Sequence, residues 1–113
     1  MSKRDELIEK YAKDIKDKFG KSPDMELLRK VTIGCGPSIY NADGEVVAAS
    51  DPDEVARVKN NFLVKKLGLS DGPELMDGIN KVVDDYGRSN RSKYRAVMYY
   101  MLTRHFGKES VYH

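Results

Sequence analysis

Apolar residues recur at helical spacing along most of this chain, and the breaks between runs carry residues that start and stop helices. Leu7, Ile8, Tyr11, Ile15 and Phe19 form one stripe, the spacing of a helix with one buried face. Ser2 three residues before Asp5 approximates a capping box, and Gly20 supplies a left-handed residue past the end. This predicts a first helix over 3–19. On its other side Glu6–Lys10, Glu9–Lys13 and Asp14–Lys18 fall at i,i+4, so favourable pairs are expected on a solvated face.

Three further starts share one device, a capping residue, then Pro at the first helical position, then an acid. Ser22-Pro23-Asp24 opens a short helix through Met25, Leu28, Val31 and Thr32. Asp51-Pro52-Asp53-Glu54 opens one through Val55, Val58, Phe62 and Leu63, stopped by Gly68. Gly72-Pro73-Glu74 opens one through Leu75, Met76, Ile79, Val82, Val83 and Tyr86, stopped by Gly87. A fifth helix, capped by Ser89 or Asn90, runs to Gly107. Projected at 100° per residue it is apolar nearly all round, with Tyr94, Val97, Met98, Met101, Leu102 and His105 on one side. Ala96, Tyr99 and Thr103, flanked by Tyr100 and Phe106, lie opposite. Such a helix is expected at the centre of the core.

One stretch breaks the pattern. Residues 31–42, VTIGCGPSIYNA, carry no charge, and Gly34, Gly36 and Pro37 end helical character. Asn41-Ala42-Asp43-Gly44 reads as a turn between Ser38-Ile39-Tyr40 and Glu45-Val46-Val47, so an irregular loop or small hairpin is expected near 34–48, packed on the helices. The expected fold is all-α, a compact bundle of about five helices, with 1–113 as one helical domain.

Composition narrows the class. The chain has 113 residues, 40% hydrophobic and 34% charged, as a folded helical domain would. The single Cys35 offers no disulfide framework, the N-terminus has charges where a signal peptide needs an apolar run, and no stretch is long enough to span a membrane. A soluble, cytoplasmic protein is expected, with no membrane partner. Charge is uneven. Residues 1–85 hold 14 Lys and Arg against 17 Asp and Glu, whereas 86–113 hold 6 against 1. No acid interrupts Tyr86–Lys108.

Three blocks, KVTIGCGPSIYNADGE (30–45), VKNNFLVKKLGLSDGPEL (58–75) and YGRSNRSKYRAVMYYMLTRHFGKESVY (86–112), resemble a family of small bacterial proteins, domain-of-unknown-function family 2853. The similarity spans nearly the whole chain, with the blocks in order. It implies a bacterial, cytoplasmic protein and brings no established activity, cofactor or catalytic residue.

The first candidate site is the corner Gly87–Lys93. Arg88, Ser89, Asn90, Arg91, Ser92 and Lys93 would stand at the N-terminus of the last helix, where free N–H groups and the dipole attract an anion. Two readings stay open. The corner binds a phosphate or carboxylate, or its cations are compensated by Asp84 and Asp85 at the end of the preceding helix. The second candidate is a nucleic-acid surface using Arg57, Lys65, Lys66, Arg91, Lys93 and Arg95, with Arg88 and the tyrosines beside them. No helix-turn-helix, zinc-finger or ribonucleoprotein signature accompanies it. The third is thiol chemistry at Cys35 between Gly34 and Gly36, with His105 as a base. A small buried side chain after a helix C-terminus is the competing reading, and there the dipole disfavours a thiolate. His105 itself reads as a core-edge residue. No metal-ligand spacing occurs, and no cofactor is expected.

The expected function is a non-catalytic binding or interaction module whose partner is an unidentified protein or a small anion. A weak nucleic-acid binder is the runner-up, and a small enzyme using Cys35 comes third. The tyrosines discriminate: solvent-facing Tyr99 and Tyr100 next to Arg95 or Arg104 would support a partner or nucleic-acid surface, and an exposed tyrosine patch a dimer, while buried ones make the last helix structural.

Overall fold

The structure, a computed structural model, describes residues 2–112. Its helices are α1 (Lys3–Phe19), α2 (Met25–Gly34), the single turn α3 (Ala42–Glu45), α4 (Pro52–Arg57), α5 (Pro73–Tyr86) and α6 (Arg95–His105). Short 3₁₀ turns cover Gly36–Tyr40 and Glu109–Tyr112, and α4 continues as a π-helix over Val58–Lys66. The fold is all-α, and the described residues form no sheet, only an isolated antiparallel bridge between Val46 and Tyr94. No described helix is long and apolar enough to cross a membrane.

The local signals explain most boundaries. Ser2 Oγ accepts from Asp5 N at 3.1 Å, and Gly20 closes α1 at φ +67°. Asp51 caps α4 by accepting from Asp53 N, with Pro52 first in the helix. Gly72 and Pro73 open α5, and Gly87 ends it at φ +106°, a backbone conformation glycine adopts most readily. The second start differs from the sequence expectation. Asp24 is the cap, accepting from Leu27 N, and α2 begins at Met25. Pro23 therefore lies outside the helix, because the carboxylate one residue later reaches the free N–H groups.

The core is one continuous cluster that includes Tyr11 and Ile15 of α1, Leu28 and Val31 of α2, Phe62 and Leu63, Ile79 and Val83 of α5, and Val97 and Leu102 of α6. Helix α6 sits at its centre, against α1, α2, α3 and α5. Tyr100 is buried, and its hydroxyl accepts from Asp24 N at 2.8 Å. Tyr99 is partly buried and stacks on Phe62 with centroids 3.8 Å apart. The tyrosines thus make α6 structural. His105 is exposed, beyond the core edge where the stripe placed it. At the C-terminal end of α6, a Cβ on Gly78 would meet the Phe106 ring, so this glycine lets α5 approach.

Of the irregular loop or small hairpin expected near 34–48, the hairpin does not form among the described residues. Pro37 sits in the 3₁₀ turn, and Asn41 Oδ1 accepts from Asp43 N and caps α3 instead of turning a hairpin. Val46 and Val47 then pair with Tyr94 and Lys93, not with 38–40. Packing of the uncharged stretch is partial: Ile39 is buried while Tyr40 is exposed. Of the three pairs expected on α1, only Asp14–Lys18 forms, at 3.5 Å. Lys13 bonds Asp17, and Lys10 reaches away to Glu45 at 2.8 Å.

The third helix also departs from a plain α-helix. From Val58 its hydrogen bonds widen, ending with Leu67 N on Phe62 O at 2.9 Å. A π segment is rare and often accompanies functional positions. Here its buried residues Val58, Phe62 and Leu63 all serve the core.

A cation-walled cavity at the α5–α6 corner

The largest correction concerns where α6 starts. Its first residue is Arg95 and its cap position is Tyr94, so Ser89 and Asn90 cap no helix. Residues 88–94 form a turn followed by an extended passage, held by two long-range contacts and one bond from the end of α5. Val47 N donates to Lys93 O at 2.8 Å, beside the Val46–Tyr94 bridge. The Tyr86 hydroxyl accepts from Tyr94 N at 3.1 Å and donates to Asp14 of α1. These bonds engage backbone that a helix would need, so helical geometry is postponed past Tyr94. The six corner residues consequently have no helix N-terminus beneath them.

Within the corner each side chain has a definite job. Asn90 N donates to Gly87 O, and Asn90 Oδ1 accepts from Ser92 N at 3.0 Å, a local side-chain turn. That bond fixes the amide orientation and leaves Nδ2 buried with no partner among the described residues. Lys93 is only 3% exposed. Its Nζ donates to Arg88 O at 3.1 Å and to Asn90 O. Among the described residues no carboxylate pairs with it, and burial followed by the charge of Arg88 holds its ammonium below the usual lysine range. Arg88 Nε bonds Asp84 at 2.7 Å, which is the compensation expected from the α5 end. Asp85 pairs with Lys81 instead, and Arg91 is exposed with no ion pair among the described residues.

These residues wall a cavity of about 570 Å³. Arg88, Ser89, Asn90, Arg91 and Lys93 form one side; Val46, Val47, Ala48, Ala49, Ser50 and Val83 form the rest. Among the described residues the wall contains three cations and no carboxylate. Ser92, the sixth predicted residue, is exposed and absent from it. Residues 46–50 escaped the sequence reading, because only the bridge to Tyr94 brings them there. Their signal in the sequence is slight: a run of small and apolar residues with no helical periodicity.

The proposed nucleic-acid set is dispersed among different roles. Arg95 is buried for the most part, its guanidinium bonding Glu54 at 2.7 Å, Gly44 O at 2.7 Å and the Tyr99 hydroxyl at 3.1 Å. Arg57 bonds the other oxygen of Glu54, and Lys93 is internal. Lys65 and Lys66 are exposed, and Lys66 lies over the Tyr112 ring. Arg91, Lys65 and Lys66 are thus the exposed members without an acidic partner among the described residues, while Lys93 lacks one in the interior.

Cys35 ends α2 and is partly buried. Burial pushes its thiol up to about 12, against a smaller opposing effect of Arg95, so the thiolate needed for nucleophilic attack is scarce near neutral pH. His105 rests edge-on against Phe106 at 4.8 Å. Among the described residues, no group of three or more His, Cys, Asp or Glu comes together as metal ligands would.

Compared with known families, residues 10–110 match the model of a family described as "Protein of unknown function (DUF2853)". No curated protein matches the chain.

Proposed function

The chain belongs to the DUF2853 family, and we propose that it is a non-catalytic binding module that captures a small anion at the α5–α6 corner. One observation carries this reading: three cations and, among the described residues, no carboxylate line a single cavity. Two of them are not free in the same sense. Arg88 is neutralised by Asp84, and Lys93 is turned onto backbone carbonyls. Arg91 is exposed and has no acidic partner among the described residues, with Ser89 and Asn90 beside it in the wall. Buried Lys93 adds positive potential from the floor, in surroundings where charges act more strongly than in water. A cytoplasmic setting, which suits the lone thiol, is part of the same proposal.

The test is an amide-shift titration of the full chain with inorganic phosphate and with acetate. Shifts confined to 46–50 and 88–93, with dissociation constants weakening as chloride is added, are expected. Saturating anion without movement of those amides would remove the reading. The same titration with single- and double-stranded oligonucleotides tests the alternative. Salt-sensitive shifts at Lys65, Lys66 and Arg91 would favour nucleic acid.

A further inference from the structure

We infer that the ligand of this cavity is an aliphatic carboxylate, a small organic acid with a hydrocarbon body. The inference deepens the anion-site reading and rests on it. The cavity volume, about 570 Å³, lies in the range of sites that enclose whole organic molecules, far more than one phosphate needs. Its remaining wall is mostly aliphatic: Val46, Val47, Ala48, Ala49 and Val83, with the hydroxyl of Ser50 among them, and none of the described residues in it is aromatic. A nucleobase would find no stacking platform there. A hydrocarbon chain would cover the valine and alanine side and remove it from water.

The polar side suits a singly charged head. Of the two guanidinium groups among the described wall residues, Arg88 is bound to Asp84 and Arg91 to no described carboxylate, and the planar fork of Arg91 matches a carboxylate's two oxygens. Asn90 stands in the same wall, and its buried Nδ2 has no acceptor among the described residues. Lys93 is 97% removed from solvent, by its 3% exposure, and its charge has no anionic partner among the described residues. A carboxylate held by Arg91 would bring one negative charge to this side of the wall, against the uncompensated charge of Lys93.

The experiment is a calorimetric titration of the full chain with acetate, butyrate and hexanoate, alongside inorganic phosphate and hexanol. Each two-carbon step should tighten binding roughly three- to tenfold, the range that partial burial of two methylenes allows. Hexanol, with the same tail and no charge, should bind at least tenfold more weakly than hexanoate. Ala49→Leu, which fills the aliphatic side, should flatten the chain-length dependence, and Arg91→Ala should weaken hexanoate at least fivefold. Phosphate and acetate binding with no gain from chain length would overturn the aliphatic inference and leave the anion site standing. Hexanol binding as tightly as hexanoate would overturn the role of the head group. Binding by none of the four anions would sink both readings. Should Ala49→Leu fail to fold, the chain-length series and Arg91→Ala still decide.

Discussion

Lys93 and Arg95 lie two residues apart on the approach to α6, and both are drawn inside the protein, yet their charges are treated in opposite ways. Arg95 meets a carboxylate, a phenol and a carbonyl: Glu54, Tyr99 and Gly44. It ties α3, α4 and α6 together at one point. Lys93 meets only the carbonyls of Arg88 and Asn90, from its own loop. The first is a closed ion pair whose partners satisfy one another. The second is a buried charge left in deficit beside a cavity. The difference separates a cation that holds the fold from one that conditions a site, although the sequence presents both as members of one basic run.

The largest effect should follow from breaking the closed pair. Arg95→Met removes three hydrogen bonds and leaves Glu54 with Arg57 alone. Loss of one member of a buried pair costs about 3–5 kcal/mol. Because both side chains retain some solvent contact, 18% and 12% exposed, about 2–4 kcal/mol is expected here. At about 4 °C per kcal/mol for a domain this size, calorimetry should show melting lowered by roughly 8–16 °C. A drop under 2 °C would mean that the Arg95 cluster is ornamental.

Next comes Glu54→Gln, which keeps the shape and removes the charge, with an expected loss of about 1–2 kcal/mol. It carries a pH signature. Burial opposes ionisation of Glu54, but the bonds from Arg95 and Arg57 outweigh it and lower its pKa. A carboxyl depressed in the folded state stabilises fully above its unfolded pKa, near 4.3. That contribution disappears as pH falls through the lower folded value. Urea midpoints of the native protein and the variant should therefore differ most at pH 6 and converge below pH 4. A gap that stays constant from pH 6 to 3 would contradict this pairing.

How much of this was legible depends on how far apart the deciding groups are. The ends of α1 and α5 follow from neighbours in sequence: Ser2 with Asp5, Gly72 with Pro73, and terminal Gly20 and Gly87. At Ser22-Pro23-Asp24 two residues compete to cap one helix, and the local pattern does not rank them; Asp24 prevails by bonding Leu27 N. The start of α6 is set by Val46, Val47 and Tyr86, up to 48 residues away from Tyr94, and no local signal encodes those contacts. The same holds for the candidate site. Its cations are visible as a cluster at 88–93, and so is the Asp84 that answers Arg88. Its aliphatic wall arrives from 46–50 through one bridge. Burial of Lys93 and Arg95 was hidden because charged residues next to a helix start read as a solvated rim.

Lys93→Met sharpens the comparison further. The variant loses two bonds to carbonyls but also removes a buried charge whose ionised form burial disfavours. These terms oppose one another, so a net loss of only about 0.5–1.5 kcal/mol is expected. Chemical denaturation should place Lys93→Met at less than half the cost of Arg95→Met. Equal costs would show that the two backbone carbonyls compensate Lys93 as fully as Glu54 compensates Arg95.

Arg91→Ala should be the smallest perturbation of stability and the most informative about the site. Arg91 is exposed and has no ion pair among the described residues, and truncations of that kind usually stay within about 0.5 kcal/mol. Its chemistry is engaged only when an anion enters. Binding of acetate and phosphate, read by amide shifts at 46–50 and 88–93, should therefore weaken severalfold while the melting temperature moves by no more than about 2 °C. Arg95→Met predicts the reverse pattern, a large loss of stability with the cavity wall chemically intact. If Arg91→Ala instead lowered stability as Arg95→Met does, Arg91 would belong to the closed network. The separation between fold-holding and site-forming cations would then fail at its most exposed member.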